Sequence, residues 1–149
     1  MVAYVTVDQV ASEFKDITFN STSAVKDTEV TEIIEQESAY VQSFLDPIYE
    51  LPIAGADALT VLKKITTALV AFRVADILSM ARSIKVSDSA VIQEIKGGTA
   101  YKAAKRDLEL ISKEKLVLSG ATLKSNRDPS SYNSANCVDP VFSTTEQQW

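Results

Sequence analysis

The 149-residue chain contains no histidine and a single cysteine, Cys137. Without histidine, the commonest general base and the commonest metal ligand are missing. One cysteine and no histidine exclude the usual zinc sets, an internal disulfide and a thiol activated by imidazole. Cys137 therefore reads as a free, inert thiol. Glycine and proline are scarce, four of each, which argues against a β-sandwich or barrel, folds that consume many turn residues. The double glycine Gly97-Gly98 lacks the G-x-x-x-x-G-K pattern of a phosphate-binding loop. The most apolar segment, ALTVLKKITTALVAFRVADILSMA, is cut by Lys63, Lys64, Arg73 and Asp76. It leaves no uninterrupted run near the ~20 residues of a membrane span. MVAYVTVDQV has no basic stretch followed by an apolar block, so no signal peptide is expected. These absences lead to the expectation of a soluble, intracellular, non-enzymatic protein with no cofactor and no metal.

What is present is helical periodicity. Residues 6–14 predict a short first helix, with Thr6 as N-cap and Gln9 completing a capping box. Val7, Val10, Ala11 and Phe14 fall on one face of it. DITFNSTSAVK reads as a loop. A second helix is predicted from Asp27 or Thr28 to Leu45, with Val30, Ile33, Ile34, Val41, Phe44 and Leu45 as its stripe. Pro47 ends it, because the residue before proline is driven out of the α region. IYELPIAGA is a turn-rich connector. Asp57 is expected to cap a third helix running to residue 83. That helix is apolar on nearly every side, as expected at the centre of a domain. Within it Arg73 and Asp76 are three apart and can pair. A fourth helical stretch starts at Ser87 or Asp88 and breaks at Gly97-Gly98. A fifth, YKAAKRDLELISKEKL, carries an apolar stripe of Tyr101, Ala104, Leu108 and Ile111. The reading is all-α: a small bundle of four to five helices over residues 1–119, with an extended C-terminal arm over residues 120–149.

Charge is unevenly spread. Residues 1–50 hold ten acids and two bases, whereas residues 51–120 hold seven acids and eleven bases. This opposition implies either an internal match or complementary faces on neighbouring subunits. The acidic face is Glu29, Glu32 and Glu35; the basic one is Lys102, Lys105, Arg106 and Lys113. A net charge of −5 does not suit a general nucleic-acid binder. The chain finishes on CVDPVFSTTEQQW, irregular yet carrying Val138, Val141, Phe142 and the one tryptophan, Trp149. Such residues need a docking surface, either on their own domain or on another molecule. Aromatic anchors dominate interface energetics, so Phe142 and Trp149 are the expected anchors.

The order of these features resembles the head–tail connector proteins of tailed bacteriophages, also called adaptors or head-completion proteins, in their Mu-like branch. The resemblance rests on Tyr49, Leu51 and Pro52, then the helix over residues 59–78. It continues with Tyr101, Ala104, Leu108, Ile111, Lys113, Lys115, Leu116 and Leu118, and with Val141, Phe142 and Thr144 near the end. Where the family pattern has a helix-ending glycine between two lysines, this chain has Glu114. A left-handed cap costs a non-glycine residue ~1 kcal/mol, so the helix is expected to run on or end differently. The arm over residues 120–135 is also longer than the pattern. The resemblance implies a structural protein of virion assembly, located in the virion neck and assembled in the host cytoplasm. It implies a homo-oligomeric ring, a dodecamer, below the portal protein. That ring would extend the channel for genomic DNA without binding it specifically and would dock the next neck or tail protein, with no membrane. Two rivals stand beside it. One is a small helical regulatory or interaction protein, antitoxin-like, binding one partner through its tail. The other is an enzyme working with carboxylates alone.

Overall fold

The segment that is apolar on nearly every side, Ala56–Met80, is the axis of the fold. The computed structural model describes residues 3–15, 17–80 and 90–124. These residues are all-α, in the order α1 (Val7–Ala11), α2 (Asp27–Leu45), α3 (Ala56–Met80), α4 (Ala90–Lys96) and α5 (Thr99–Ser112). At 25 residues α3 is about 37 Å long, and every other helix packs on it.

The capping box forms as the spacing requires: Thr6 Oγ1 accepts from Gln9 N–H, and Gln9 Oε1 accepts from Thr6 N–H. The helix is shorter than its periodicity suggested, ending at Ala11 rather than residue 14. Ser12 Oγ donates back to Gln9 O at 2.6 Å, a local bond that competes with the helical ladder. Val10 and Phe14 are nevertheless fully buried. α2 has the predicted bounds, Asp27–Leu45, and buries Val30, Ile33, Ile34, Val41 and Leu45. Asp46, the residue before Pro47, is not driven out of the α region as expected: it keeps φ −54° and ψ −38°, and its N–H still donates to Gln42 O. α3 begins one residue before Asp57, which therefore lies in the first turn and not at the cap. Leu59 N–H donates to Gly55 O at 2.8 Å. Ser87, Asp88 and residues 81–83 lie outside the described residues. The break between α4 and α5 falls at the double glycine. Gly98 takes φ +73°, a left-handed conformation that suits glycine.

α3 divides the interior into two clusters. Its first half, through Leu62, Ile65 and Leu69, packs with Val41, Leu45, Ile48 and Tyr49 and with Ala104, Leu108 and Ile111 of α5. Its second half, through Val70, Val74, Ala75 and Leu78, packs with Val10, Phe14, Val25, Val30 and Ile34 and with Ile92 of α4. Thr66, at 0% exposure, sits among the first-half residues, and its hydroxyl has no hydrogen-bond partner among the described residues. A buried orphan of this kind is uncommon.

The end of α5 corrects the sequence expectation. Glu114 does adopt the left-handed conformation, at φ 56°. Lys115 N–H donates to Leu110 O at 2.8 Å and Glu114 N–H to Ile111 O at 2.9 Å, the paired bonds of a Schellman ending. Those two bonds compensate the strain at a non-glycine residue. The chain then folds back on the α2–α3 connector. Tyr49 Oη, buried, accepts from Leu118 N–H at 3.1 Å. Tyr49 and Leu123 form an isolated antiparallel bridge. Glu50 N–H donates to Thr122 O at 2.8 Å, and Lys124 N–H donates to Ile48 O at 3.0 Å. Lys124 Nζ meets Asp46 Oδ1 at 3.0 Å. The two backbones are also close at Gly55 and Gly120: a Cβ on Gly55 would fall 2.6 Å from the Gly120 carbonyl carbon. So the first five residues of the arm lie on their own bundle, and residues 125–149 lie outside the described residues.

Candidate functional site

The acidic face forms because Glu29, Glu32 and Glu35 recur every three residues on the side of α2 opposite its buried stripe. All three are exposed. Glu29 also caps its own helix. Its carboxylate accepts from Lys26 N–H at 2.9 Å and satisfies a free donor at the start of α2. Glu29 and Glu32 border a shallow hollow that Ile33, Arg73 and Ile77 complete.

The basic face is the exposed side of α5. Lys102, Lys105, Arg106 and Lys113 are all exposed. Lys113 Nζ lies 3.7 Å from Glu109 of its own helix, one turn back, and Arg106 lies 3.4 Å from Asp107. Such exposed pairs contribute at most ~1 kcal/mol. Among the described residues, none of Glu29, Glu32 and Glu35 forms an ion pair with these four bases. Arg73 does not pair with Asp76 as their spacing suggested. It reaches across to Glu37 of α2 at 2.9 Å, while Asp76 faces Lys96 at 3.9 Å. Side chains three apart on one helix were neighbours in sequence, but inter-helix packing offered Arg73 the better acceptor.

Between α2, α3 and α5 lies a groove of about 400 Å³ that the sequence did not single out. Leu69 is its floor. One wall is Phe72 stacked on Tyr101, with centroids 4.1 Å apart and planes at 16°. The other is Tyr40, which is 40% exposed and meets Phe44 edge-on at 5.1 Å. The Glu37–Arg73 pair also lines it. Lys105 Nζ lies 4.8 Å above the Tyr101 ring. The lysine pKa is raised, chiefly by its hydrogen bond to Tyr101; desolvation opposes this, and the charges of Tyr101, Tyr40 and Glu37 add to the rise. Its ammonium stands beside the groove as one of its lining groups. Tyr101 had been readable only as part of an apolar stripe. The signal that would have found the groove is the set Tyr40, Phe72 and Tyr101 together, one aromatic from each of three helices.

Among the described residues, no group of three or more His, Cys, Asp or Glu side chains is placed to hold a metal ion. No described helix is long and apolar enough to cross a membrane. Val138, Val141, Phe142 and Trp149 lie outside the described residues.

A family model described as Bacteriophage Mu, Gp36 matches residues 4–136. The chain belongs to the bacteriophage Mu Gp36 family. It is thus a protein of a Mu-like phage. The match takes in every described helix of this Gp36-family chain, both charged faces and the whole groove, and stops ahead of Val138. No curated protein and no solved structure gives a significant match.

Proposed function

We propose that this chain is a phage structural and morphogenetic protein, a head–tail connector whose copies form a ring below the portal. The ring extends the DNA channel and docks the next neck or tail protein. Family membership across residues 4–136 is the observation that carries the reading. The charged faces support it. A ring is built from heterologous contacts, one face of a subunit meeting a different face of the next. Glu29, Glu32 and Glu35 are exposed on α2, Lys102, Lys105 and Arg106 on α5, and the two sets do not pair within the chain. A neighbour can therefore supply the opposite charge. A net charge of −5 suits a conduit, because phosphate contacts from Lys and Arg are what hold DNA tightly.

The test is negative-stain microscopy with light-scattering mass on the untagged full chain, alone and with portal protein. The expected result is a ring in the wild type. The double reversal Lys105→Glu with Arg106→Glu blocks it while the helical circular dichroism stays unchanged. Assembly that persists in the reversed variant rejects the charged faces as the contact. A one-to-one complex with a single small partner, and no ring with or without portal, rejects the connector in favour of a regulatory protein.

A further inference from the structure

Two short stretches near the end of the chain share a pattern: Asp139-Pro140-Val141-Phe142 and Glu146-Gln147-Gln148-Trp149. Each has an acid three residues ahead of an aromatic, and the two units are seven residues apart. Residues 137–149 contain those two acids and no base. The groove between α2, α3 and α5 offers the complementary chemistry. We propose that this groove receives one acid-x-x-aromatic unit from the C-terminal segment of a second copy of the chain. The assignment rests on the ring reading for its geometry, but the contact itself is pairwise.

Three observations carry it. The first is the shape and chemistry of the groove. The Phe72–Tyr101 stack, the exposed Tyr40 and Leu69 all line it, so an incoming ring meets aromatic surface contributed by three helices. About 400 Å³ is near the lower end for a ligand site, room for one aromatic side chain and its neighbours, not for the whole segment. The second is charge. Lys105 lies over Tyr101, and Arg73, with its side chain half exposed, uses one nitrogen on Glu37. The remaining donors of a guanidinium fork are suited to a carboxylate. Lys102 and Arg106, both exposed, extend the positive side along α5. The third is reach. The last described residue, Lys124, is bonded to Ile48 and Asp46. Residues 125–138 make fourteen residues of spacer, spanning up to about 45–50 Å. A subunit of this length has a radius of gyration of about 15 Å, so fourteen residues are long enough to cross to the equivalent groove of an adjoining copy.

The test uses two full-length variants with complementary defects. One, Phe142→Ala with Trp149→Ala, keeps the groove and loses the anchors. The other, Lys105→Glu, keeps the anchors and repels their acids. Self-association is read by sedimentation velocity, without portal, over a range of concentrations. Each variant alone is expected to associate at least ~10-fold more weakly than wild type, since aromatic anchors and desolvated charges dominate such contacts. The equimolar mixture is expected to recover one-to-one pairs, because one partner supplies the groove and the other the tail. Wild-type association in both variants overturns the proposal, as does a mixture no more associated than its components. A wild type that stays monomeric throughout also overturns it and sends the segment back to its own bundle. Pairs in the mixture without any ring in the wild type would keep this contact and reject the connector. Rings that tolerate both variants would do the reverse.

Discussion

The two clusters on either side of residues 69 and 70 are closed by different means. The α5 side is fastened by polar contacts from chain that has already left the last helix. Tyr49 holds Leu118, Glu50 holds Thr122, and Lys124 holds both Ile48 and Asp46. The α1 and α4 side is closed by apolar plugs. Val10, Phe14 and Val25 fill it, and Phe14 meets Phe19 edge-on at 5.6 Å. Its polar bonds are mostly local turns, such as Asn20 with Thr22 and Ser23. A plug stabilises in proportion to the apolar area and volume it fills. A fastening matters chiefly because its loss leaves a buried group without a partner. One molecule thus carries two kinds of closure with different sensitivities.

The largest effect should come from pulling a plug. Phe14→Ala is expected to cost about 3–4 kcal/mol in urea unfolding, with amide exchange rising first in α1 and α4. Gly55→Ala comes next, at about 2–3 kcal/mol, because its Cβ meets backbone that cannot rotate away. Tyr49→Phe removes only an oxygen and should cost about 1–2 kcal/mol, the penalty of an unsatisfied Leu118 N–H. Exchange of that single amide should accelerate most. If Tyr49→Phe costs as much as Phe14→Ala, the contrast between the clusters fails. Thr66→Val should move the other way, raising stability by about 1 kcal/mol by deleting an unpartnered hydroxyl.

The smallest effect is one of pH. Burial raises the Tyr4 phenol above its ordinary 10.0, and a hydrogen bond to Gln42 only partly opposes this. The neutral phenol is the form the fold prefers. Its contribution is therefore whole below pH 10 and is lost as pH rises through the folded pKa. Between pH 10 and 11 the wild type should lose more Tm than Tyr4→Phe does.

The helices were legible because local patterns specify them. The α2 stripe places an end at Leu45, although not by the route expected of Pro47, since Asp46 ahead of it stays helical; Thr6 and Gln9 place a beginning; Gly97-Gly98 place a break. What the sequence hid depends on long-range company. Arg73 finds Glu37, thirty-six residues away, in place of Asp76 within its own helix. Leu118 finds Tyr49, sixty-nine residues away. Glu114 takes a conformation its side chain disfavours because two backbone bonds hold it there. The acidic and basic stripes were readable as periodic faces. The aromatic groove was not, because no single helix contains it.

The pinning of Lys124 has a mechanical consequence. Any tension on the chain beyond it arrives first at the α2–α3 connector. The bond to Ile48, the ion pair to Asp46, the Thr122–Glu50 bond and then the Tyr49–Leu118 bond stand in series ahead of the last turn of α5. A partner that pulls on the tail would therefore load the middle of the sequence before its end. Under such a load this short seam would yield before the turns of α5 do.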